Sequence, residues 1–198
     1  MDFPIKNFDT KVADLNDLKK FQIISVKNFY NINDDQRIDV DKSIEKNYLE
    51  ESPFLDQEAS ANFSLKFGNT FFFSDLYKEF YNFCYKIFDG FEILVDNQFI
   101  CWCYRSNKDN HFSAWHNHFA TSTINGVYYY SIYNDGIYFE KDGEVIYYLP
   151  EQNELLIFPN HLYHKPKVAT SENLRYSINM EIVTKETALT LFERYGLP

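Results

Sequence analysis

The sequence has few of the residues that interrupt or cross-link a chain, and it has no long apolar run. Its 198 residues include only 6 Gly, 6 Pro and 3 Cys. It contains no repeat, low-complexity tract or flexible linker, so we predict a single domain over residues 1–198, a length typical of one domain. The longest apolar runs, at 71–73 and 127–130, are much too short to span a bilayer. The first residues lack the basic and apolar regions of a secretory signal, and we expect no membrane partner.

Positive charge is scarce as well. Lys and Arg number 19 against 29 Asp and Glu, which gives a formal net charge of −10. Because binding to a phosphate backbone needs clustered Lys and Arg, duplex nucleic acid is the poorest candidate partner. Aromatic residues are abundant, with 20 Phe and 16 Tyr. That much apolar area predicts a packed core and excludes a disordered chain.

The cysteines indicate a reducing compartment. Their number is odd, and Cys101 and Cys103 flank Trp102 too closely for an easy mutual disulfide. We interpret them as small buried apolar side chains. We therefore expect a cytoplasmic protein, or one of the host cytoplasm if the gene is viral. The sequence leaves the oligomeric state open, with a homodimer among the options.

Two patterns divide the chain near residue 90. In 1–90, apolar residues recur at helical spacing over 12–21 and 75–88, with Ser74 as the expected N-cap of the second helix. A short helix is expected at about 40–49, within an acidic segment. We interpret 1–90 as a helical support region whose helices pack on the C-terminal half of the chain.

From residue 91 to 185 the pattern changes to eight or nine short runs rich in aromatic and β-branched residues, separated by turn signals such as Asn134-Asp135-Gly136. This pattern predicts a mainly β, α+β protein whose core is a double-stranded β-helix, or jelly roll. Residues 186–198 are expected to form a C-terminal helix or tail. The predicted strands are 91–95, 98–105, 113–118, 124–132, 136–140, 144–148, 154–158, 163–168 and 174–183.

All five histidines lie between His111 and His164. His116 and His118 alternate along a predicted strand, so both imidazoles project from one side and can occupy two adjacent positions on a first-row metal. The segment 158–164 offers a third ligand in His164. The pattern predicts a metal site formed by His116, His118 and His164. His161 and His111 are expected at its rim or on the surface.

Arg175 and Ser177 share one face of the last predicted strand. An arginine that faces into a β-barrel needs an anionic partner, because an unpaired buried charge is costly. A guanidinium binds a carboxylate through two parallel hydrogen bonds, and a serine hydroxyl can add a third. The alternative is a surface arginine that pairs with Glu172 or Glu181.

Taken together, these residues resemble the 2-oxoglutarate/Fe(II)-dependent oxygenase superfamily, in particular its short members from phages and marine bacteria. The resemblance covers about residues 98–183. It is carried by His116-Asn117-His118, by Asn125-Gly126-Val127-Tyr128-Tyr129-Tyr130, by Phe158-Pro159 with His164, and by Arg175-Tyr176-Ser177-Ile178-Asn179.

The resemblance implies an Fe(II) ion held by His116 and His164, with His118 at the position of the second ligand. It implies that Arg175, assisted by Ser177, binds the distal carboxylate of 2-oxoglutarate. Further candidate positions around the two cofactors are Tyr128 and Tyr130 for the same carboxylate, and His111, His161, Asn125 and Asn179 for the surrounding shell. One residue departs from the family pattern: the usual second ligand is Asp or Glu, and His118 gives the site one negative charge fewer.

The implied activity is the oxidation of a C–H bond of a small-molecule or peptide substrate, coupled to the oxidative decarboxylation of 2-oxoglutarate. One alternative is a cupin-type dioxygenase with three histidine ligands, which would not need Arg175 or Ser177. Another is a non-catalytic jelly-roll binding module, in which the histidines would not converge. A structural zinc site is disfavoured, because such sites usually recruit paired thiolates.

Overall fold

The computed structural model describes residues 5–7, 13–14, 23–51, 60–62, 71–89, 100–109, 113–119, 122–141 and 143–185. The helices in this part of the chain are α1 (Asp34–Glu51) and α2 (Phe71–Ile87). The strands are β1 (Ile5–Asn7), β2 (Ala13–Asp14), β3 (Ile23–Val26), β4 (Ser60–Asn62), β5 (Phe88–Asp89), β6 (Ile100–Ser106), β7 (Ile124–Ser131), β8 (Ile137–Lys141), β9 (Glu144–Tyr148), β10 (Leu155–Pro159), β11 (Tyr163–Pro166) and β12 (Arg175–Ile182).

Two sheets build the β region. The larger has seven strands in the order β1-β3-β10-β7-β12-β6-β4, and the smaller has three in the order β11-β8-β9. All pairings in both sheets are antiparallel except that of β1 with β3. A single antiparallel bridge between His116 and His164 adds the segment 113–119 beside β11. This topology is a double-stranded β-helix, as the sequence predicts.

Apolar side chains cover both faces of the seven-stranded sheet. On one face, alternate residues of β7 and β12, such as Tyr128 and Ile178, pack against Phe80 and other residues of the two helices. On the other face, Val127 and Tyr129 belong to a second cluster that includes Phe139 of the smaller sheet. We call these the helix face and the barrel interior. Position along a strand therefore decides which of two buried environments a side chain enters.

Helix α1 is mostly polar, and it docks through two buried apolar residues, Val40 and Ile44, together with an ion pair. Arg105 of β6 donates from Nε to Glu45 Oε1 at 2.7 Å and from an Nη atom to Glu45 Oε2 at 2.9 Å. The hydroxyl of Tyr176 donates to the same carboxylate at 2.5 Å. Asn33 and Gln36 form a reciprocal capping box where the helix begins. The polar contacts to Glu45 add to the packing of Val40 and Ile44 in holding α1 on the helix face.

The N-terminal predictions need correction. Helix α2 begins at Phe71, so Ser74 lies inside the helix and is not its N-cap. Helix α1 spans Asp34–Glu51, longer than the predicted 40–49. Within the predicted helix 12–21, the described residues Ala13–Asp14 are a strand that pairs with β5. Neither described helix is long and apolar enough to cross a membrane.

The predicted strands from residue 98 onward are confirmed within a few residues, with one exception. The segment 113–118 contributes only the bridge at His116 and does not form a full strand. The predicted strand 91–95 and the predicted tail 186–198 lie outside the described residues. All three cysteines are buried, as the sequence indicates.

Candidate metal centre

Three histidine side chains converge in the barrel interior. The backbones of His116 and His164 are joined by two hydrogen bonds, with N···O distances of 3.0 and 2.9 Å. The ring centroids lie 4.3 Å apart for His116 and His164, 5.1 Å for His118 and His164, and 5.3 Å for His116 and His118. One ligand atom from each ring lies within 4.8 Å of the others. The cluster predicted from sequence spacing therefore forms, as three converging nitrogen donors for a first-row metal.

Each of the three imidazoles has its Nδ1 atom bound to an oxygen. Since a carbonyl or carboxylate oxygen accepts, Nδ1 of each ring is the donor in this hydrogen bond, and Nε2 is the nitrogen left on the other side of the ring. Metal-binding histidines generally make this second hydrogen bond, which fixes the tautomer and the ring orientation. The donor set thus fits a metal ion bound through three Nε2 atoms. The acceptors are the carbonyl of Ala114 for His116 at 2.9 Å, the carbonyl of Leu162 for His164 at 3.0 Å, and Glu181 Oε1 for His118 at 2.6 Å.

Burial keeps two of these rings neutral. His164 is 2% exposed, and burial, with a smaller contribution from His116, lowers its pKa to about 3. Burial also lowers the pKa of His116, although the carbonyl of Ala114 opposes the shift. Both rings are therefore neutral imidazoles at neutral pH, which is the form that binds a metal.

Arg175 lies on the same interior face and is 4% exposed. Its Nε donates to Ser106 Oγ at 3.1 Å, and an Nη atom lies 3.5 Å from the carbonyl oxygen of Lys167. Among the described residues, its hydrogen-bond acceptors are thus a hydroxyl and a carbonyl rather than a carboxylate. The nearby Asp135 acts on it electrostatically but accepts hydrogen bonds from Thr170. The guanidinium retains capacity for an anionic ligand.

The alternative reading of Arg175 as a surface residue is wrong. The two glutamates suggested as its partners bind elsewhere, because Glu172 pairs with Lys108 at 3.0 Å and Glu181 with His118. Burial is also what lowers the pKa of the Arg175 guanidinium from its usual value. An arginine in this position is expected to meet a carboxylate in the barrel interior.

The remaining interior residues of β12 form a strip between Arg175 and Glu181. Ser177 and Asn179 lie on it, and the register places them opposite Tyr104 and Trp102 of β6. The Trp102 ring lies 6.1 Å from that of His118 and 6.4 Å from that of Tyr104, between ring centroids. Ser177 and Asn179 thus lie on the interior face of β12, beside an aromatic wall that reaches the histidines.

Tyr128 and Tyr130 need correction, because both lie on the helix face. The Tyr128 hydroxyl donates to the carbonyl of Tyr30 at 2.6 Å, and the Tyr130 hydroxyl donates to Asp41 Oδ1 at 2.7 Å. Tyr129, between them, is the tyrosine of β7 that enters the barrel interior. Burial raises its pKa, and Arg175 is close enough to oppose that shift. Its hydroxyl makes no hydrogen bond to another described residue.

The other candidates are divided between the site and its surroundings. Asn125 is 2% exposed, opposes Glu181 in the strand register, and accepts a hydrogen bond from Ser122 Oγ at 2.6 Å. Its Nδ2 atom is buried without an acceptor in the described structure. His161 is exposed on the turn after β10, and His111 lies outside the described residues.

Sequence reasoning missed Glu181 and Tyr129 as residues of the site. A signal for Glu181 was present, because it continues the alternation of Arg175, Ser177 and Asn179 along β12. No comparable signal separates Tyr129 from its neighbours.

Neither a protein-family model nor a curated protein matches this chain in sequence. Solved structures do match. A prolyl hydroxylase from Trichoplax adhaerens, in complex with a hypoxia-inducible-factor oxygen degradation domain peptide fragment, aligns with a TM-score of 0.63 at 13% identity over 89% of this chain and 90% of its own. An oxidoreductase of the 2OG-Fe(II) oxygenase family from Burkholderia pseudomallei gives 0.59 at 13% identity over 88% and 92%. A Pseudomonas putida prolyl-4-hydroxylase gives 0.57 at 14% identity over 85% and 96%. The resemblance seen in the sequence is confirmed in the fold: this chain has the double-stranded β-helix of the 2-oxoglutarate/Fe(II) oxygenases.

Proposed function

We propose that the protein is an Fe(II)- and 2-oxoglutarate-dependent oxygenase that oxidises a C–H bond of a small-molecule or peptide substrate. One observation carries the proposal: three imidazoles converge in the same interior as a buried guanidinium. A fold can host many functions. The arrangement of these side chains, together with the likeness in fold, is what favours this one.

His116, His118 and His164 would hold the iron, and their hydrogen-bonded Nδ1 atoms would fix each ring. When bound, Fe(II) and 2-oxoglutarate supply the oxygen activation. The chain's own task is to position these groups and to exclude water. Phe158 packs against the His164 ring at 4.7 Å between centroids, and Phe139 at 6.2 Å. These two rings give the buried side of the metal centre an apolar wall.

Arg175 would bind the distal carboxylate of 2-oxoglutarate. The Ser106 hydroxyl holds its Nε atom, so the guanidinium is oriented before the ligand arrives. Burial raises the pKa of Tyr129, so its phenol stays protonated and can donate to the same carboxylate. Ser177 lies on the same face of β12. Charge-assisted hydrogen bonds in a buried site favour a dicarboxylate over a neutral ketone.

Two observations support the choice of substrate class. Two of the similar structures are prolyl hydroxylases, and one of them is in complex with a peptide fragment. In this chain, Trp102 and Tyr104 offer an aromatic wall beside His118. Hydroxylation of a peptide side chain is therefore the first substrate class to test.

A second candidate is a three-histidine dioxygenase that does not use 2-oxoglutarate. The observation that favours it is the ligand set, since His118 stands where the oxygenases use a carboxylate. Arg175 counts against it, because such an enzyme has no use for a buried guanidinium beside the metal centre. The non-catalytic module is disfavoured, since it predicts histidines that do not converge.

Anaerobic addition of Fe(II) and 2-oxoglutarate tests the proposal, because their complex has a charge-transfer absorption. The wild-type protein should show the band and His164→Ala should abolish it. Arg175→Ala should weaken 2-oxoglutarate binding roughly 10- to 100-fold, the loss expected for charge-assisted hydrogen bonds. Arg105→Ala is the matched control, because Arg105 binds Glu45 on the helix face and should leave the 2-oxoglutarate affinity unchanged.

Two results would contradict the proposal. Iron binding without any response to 2-oxoglutarate would favour the three-histidine dioxygenase. Failure of the folded wild-type protein to bind Fe(II) would exclude both enzyme functions.

A further inference from the structure

We propose that Glu181 is a positioning residue of the metal centre. Its carboxylate orients His118 through Nδ1 and provides, on the side of the ring away from the metal, the negative charge that a carboxylate ligand would bring. The inference rests on the proposed function and deepens it. It concerns the position at which this sequence departs from the pattern of two histidines and one carboxylate. The pair His118–Glu181 would replace that single carboxylate.

The contact is short and buried. Glu181 Oε1 lies 2.6 Å from Nδ1 of His118, and the side chains are 5% and 14% exposed. This distance is at the short end of charge-assisted hydrogen bonds between nitrogen and oxygen. Bound in this way, the ring must present Nε2 to the metal. His118 therefore cannot rotate to its other nitrogen without breaking a buried contact.

Backbone hydrogen bonds hold Glu181 in place. Glu181 lies within β12, paired with Ile100 of β6 on one side and Asn125 of β7 on the other. Its carbonyl oxygen also accepts a hydrogen bond from the Tyr77 hydroxyl of α2 at 2.8 Å. A carboxylate anchored in the middle of a seven-stranded sheet has little freedom to leave the histidine.

The three candidate ligands differ in the group that accepts the hydrogen bond from Nδ1. His116 and His164 donate to neutral backbone carbonyls, of Ala114 and Leu162. His118 instead faces the carboxylate of Glu181. A carboxylate behind a ligating imidazole raises its basicity and strengthens its bond to the metal. His118 stands where the family pattern has a carboxylate ligand, and its hydrogen-bond partner Glu181 carries the charge that this ligand would have brought.

Metal affinity measured without turnover tests this inference. Co(II) binding, followed by its visible absorption in the metal-depleted protein, gives both a dissociation constant and a signature of the ligand geometry. Glu181→Gln keeps an oxygen acceptor but removes the charge, and it should weaken Co(II) binding roughly 10- to 100-fold. The control is Glu154→Gln: Glu154 is also a fully buried glutamate, but it binds Ser25 and Tyr148. Its substitution should leave Co(II) affinity unchanged.

A second variant distinguishes an effect of the Glu181 charge from structural support by the Glu181 side chain. His118→Asp places a carboxylate ligand directly opposite Glu181, so that two like charges face each other. In that background Glu181→Gln relieves the repulsion, and Co(II) should bind more tightly. The same substitution therefore has opposite effects in the two backgrounds. A residue that only supports the fold would weaken binding in both.

The failures of the two proposals are distinguishable. If wild-type protein binds neither Co(II) nor Fe(II), the proposed function is refuted. If wild-type protein binds Co(II) and Glu181→Gln binds it equally well, the role of Glu181 is refuted and the metal centre stands. A loss of affinity of the same size in both backgrounds would also overturn the charge role.

Discussion

Acidification of the metal-free protein should destabilise it through His164. In the folded chain, burial lowers the pKa of His164 to about 3, from the 6.5 of an unperturbed histidine. Between these values the unfolded chain binds a proton that the folded chain does not. Stability from this group is therefore complete above the unfolded pKa of 6.5 and is lost as the pH falls toward 3.

The interval between the folded and the unfolded pKa of His164 sets the size of the effect. Each pH unit inside this interval lowers the free energy of unfolding by about 1.4 kcal/mol, because a single proton is involved. Integrated from about pH 8 to about pH 5, the loss attributable to His164 is about 2 kcal/mol. A domain of ordinary stability unfolds with about 5–15 kcal/mol, so the loss is large enough to measure.

Urea denaturation followed by circular dichroism, in the presence of a chelator, measures the free energy of unfolding across this range. Carboxyl groups titrate as well, but their contribution cancels when the wild type is compared with His164→Gln. The difference in stability between these two proteins should shrink by about 2 kcal/mol from about pH 8 to about pH 5. A difference for His164→Gln that stays constant with pH would refute the reasoning.

Gly126→Ala should destabilise the fold by about 1–3 kcal/mol in urea denaturation, because a Cβ there would lie 2.6 Å from Cε2 of Phe80. A variant as stable as wild type would contradict the packing of α2 on β7. Gly143→Ala should cost about 1–2 kcal/mol through its φ of +83°, with no atom within 4 Å of the new Cβ. Tyr129→Phe should weaken 2-oxoglutarate binding by about 5- to 10-fold, whereas Tyr128→Phe should not change it. Equal effects of the two tyrosine variants on that affinity would contradict their placement on opposite faces.

The histidine cluster could be predicted because its signal is local. Two histidines separated by one residue project from the same side of any extended segment, whether or not that segment pairs fully. His116 and His118 keep this relation even though 113–118 forms only a single bridge. His164 could be added because the β-helix topology brings a later strand back beside the earlier segment.

The sequence could not predict which face of β7 enters the barrel interior. Alternation distinguishes inside from outside when one face of a strand meets water, but seven of the eight residues of β7 are buried. Tyr128, Tyr129 and Tyr130 therefore look alike in the sequence. Which of them enters the barrel interior depends on where the helices pack, and that is a property of the whole fold.

Glu181 escaped prediction for a different reason. Its partner His118 lies in a segment that does not pair with β12, so no register argument connects the two. The sequence suggested a surface ion pair with Arg175 instead. In β12, Arg175 and Glu181 lie on the same face, but Arg175 binds Ser106 and Glu181 binds His118.

The backbone bridge between His116 and His164 has a consequence for how the protein matures. Strands β7 to β10 separate the two histidines along the chain, so the third metal ligand arrives only after the intervening strands have crossed between the sheets. Closing a loop between residues so distant in sequence costs chain entropy, so we expect this contact to form late in folding. Metal capture by all three histidines is therefore a reporter of finished assembly, unlike a zinc finger, whose ion directs the folding of a short segment.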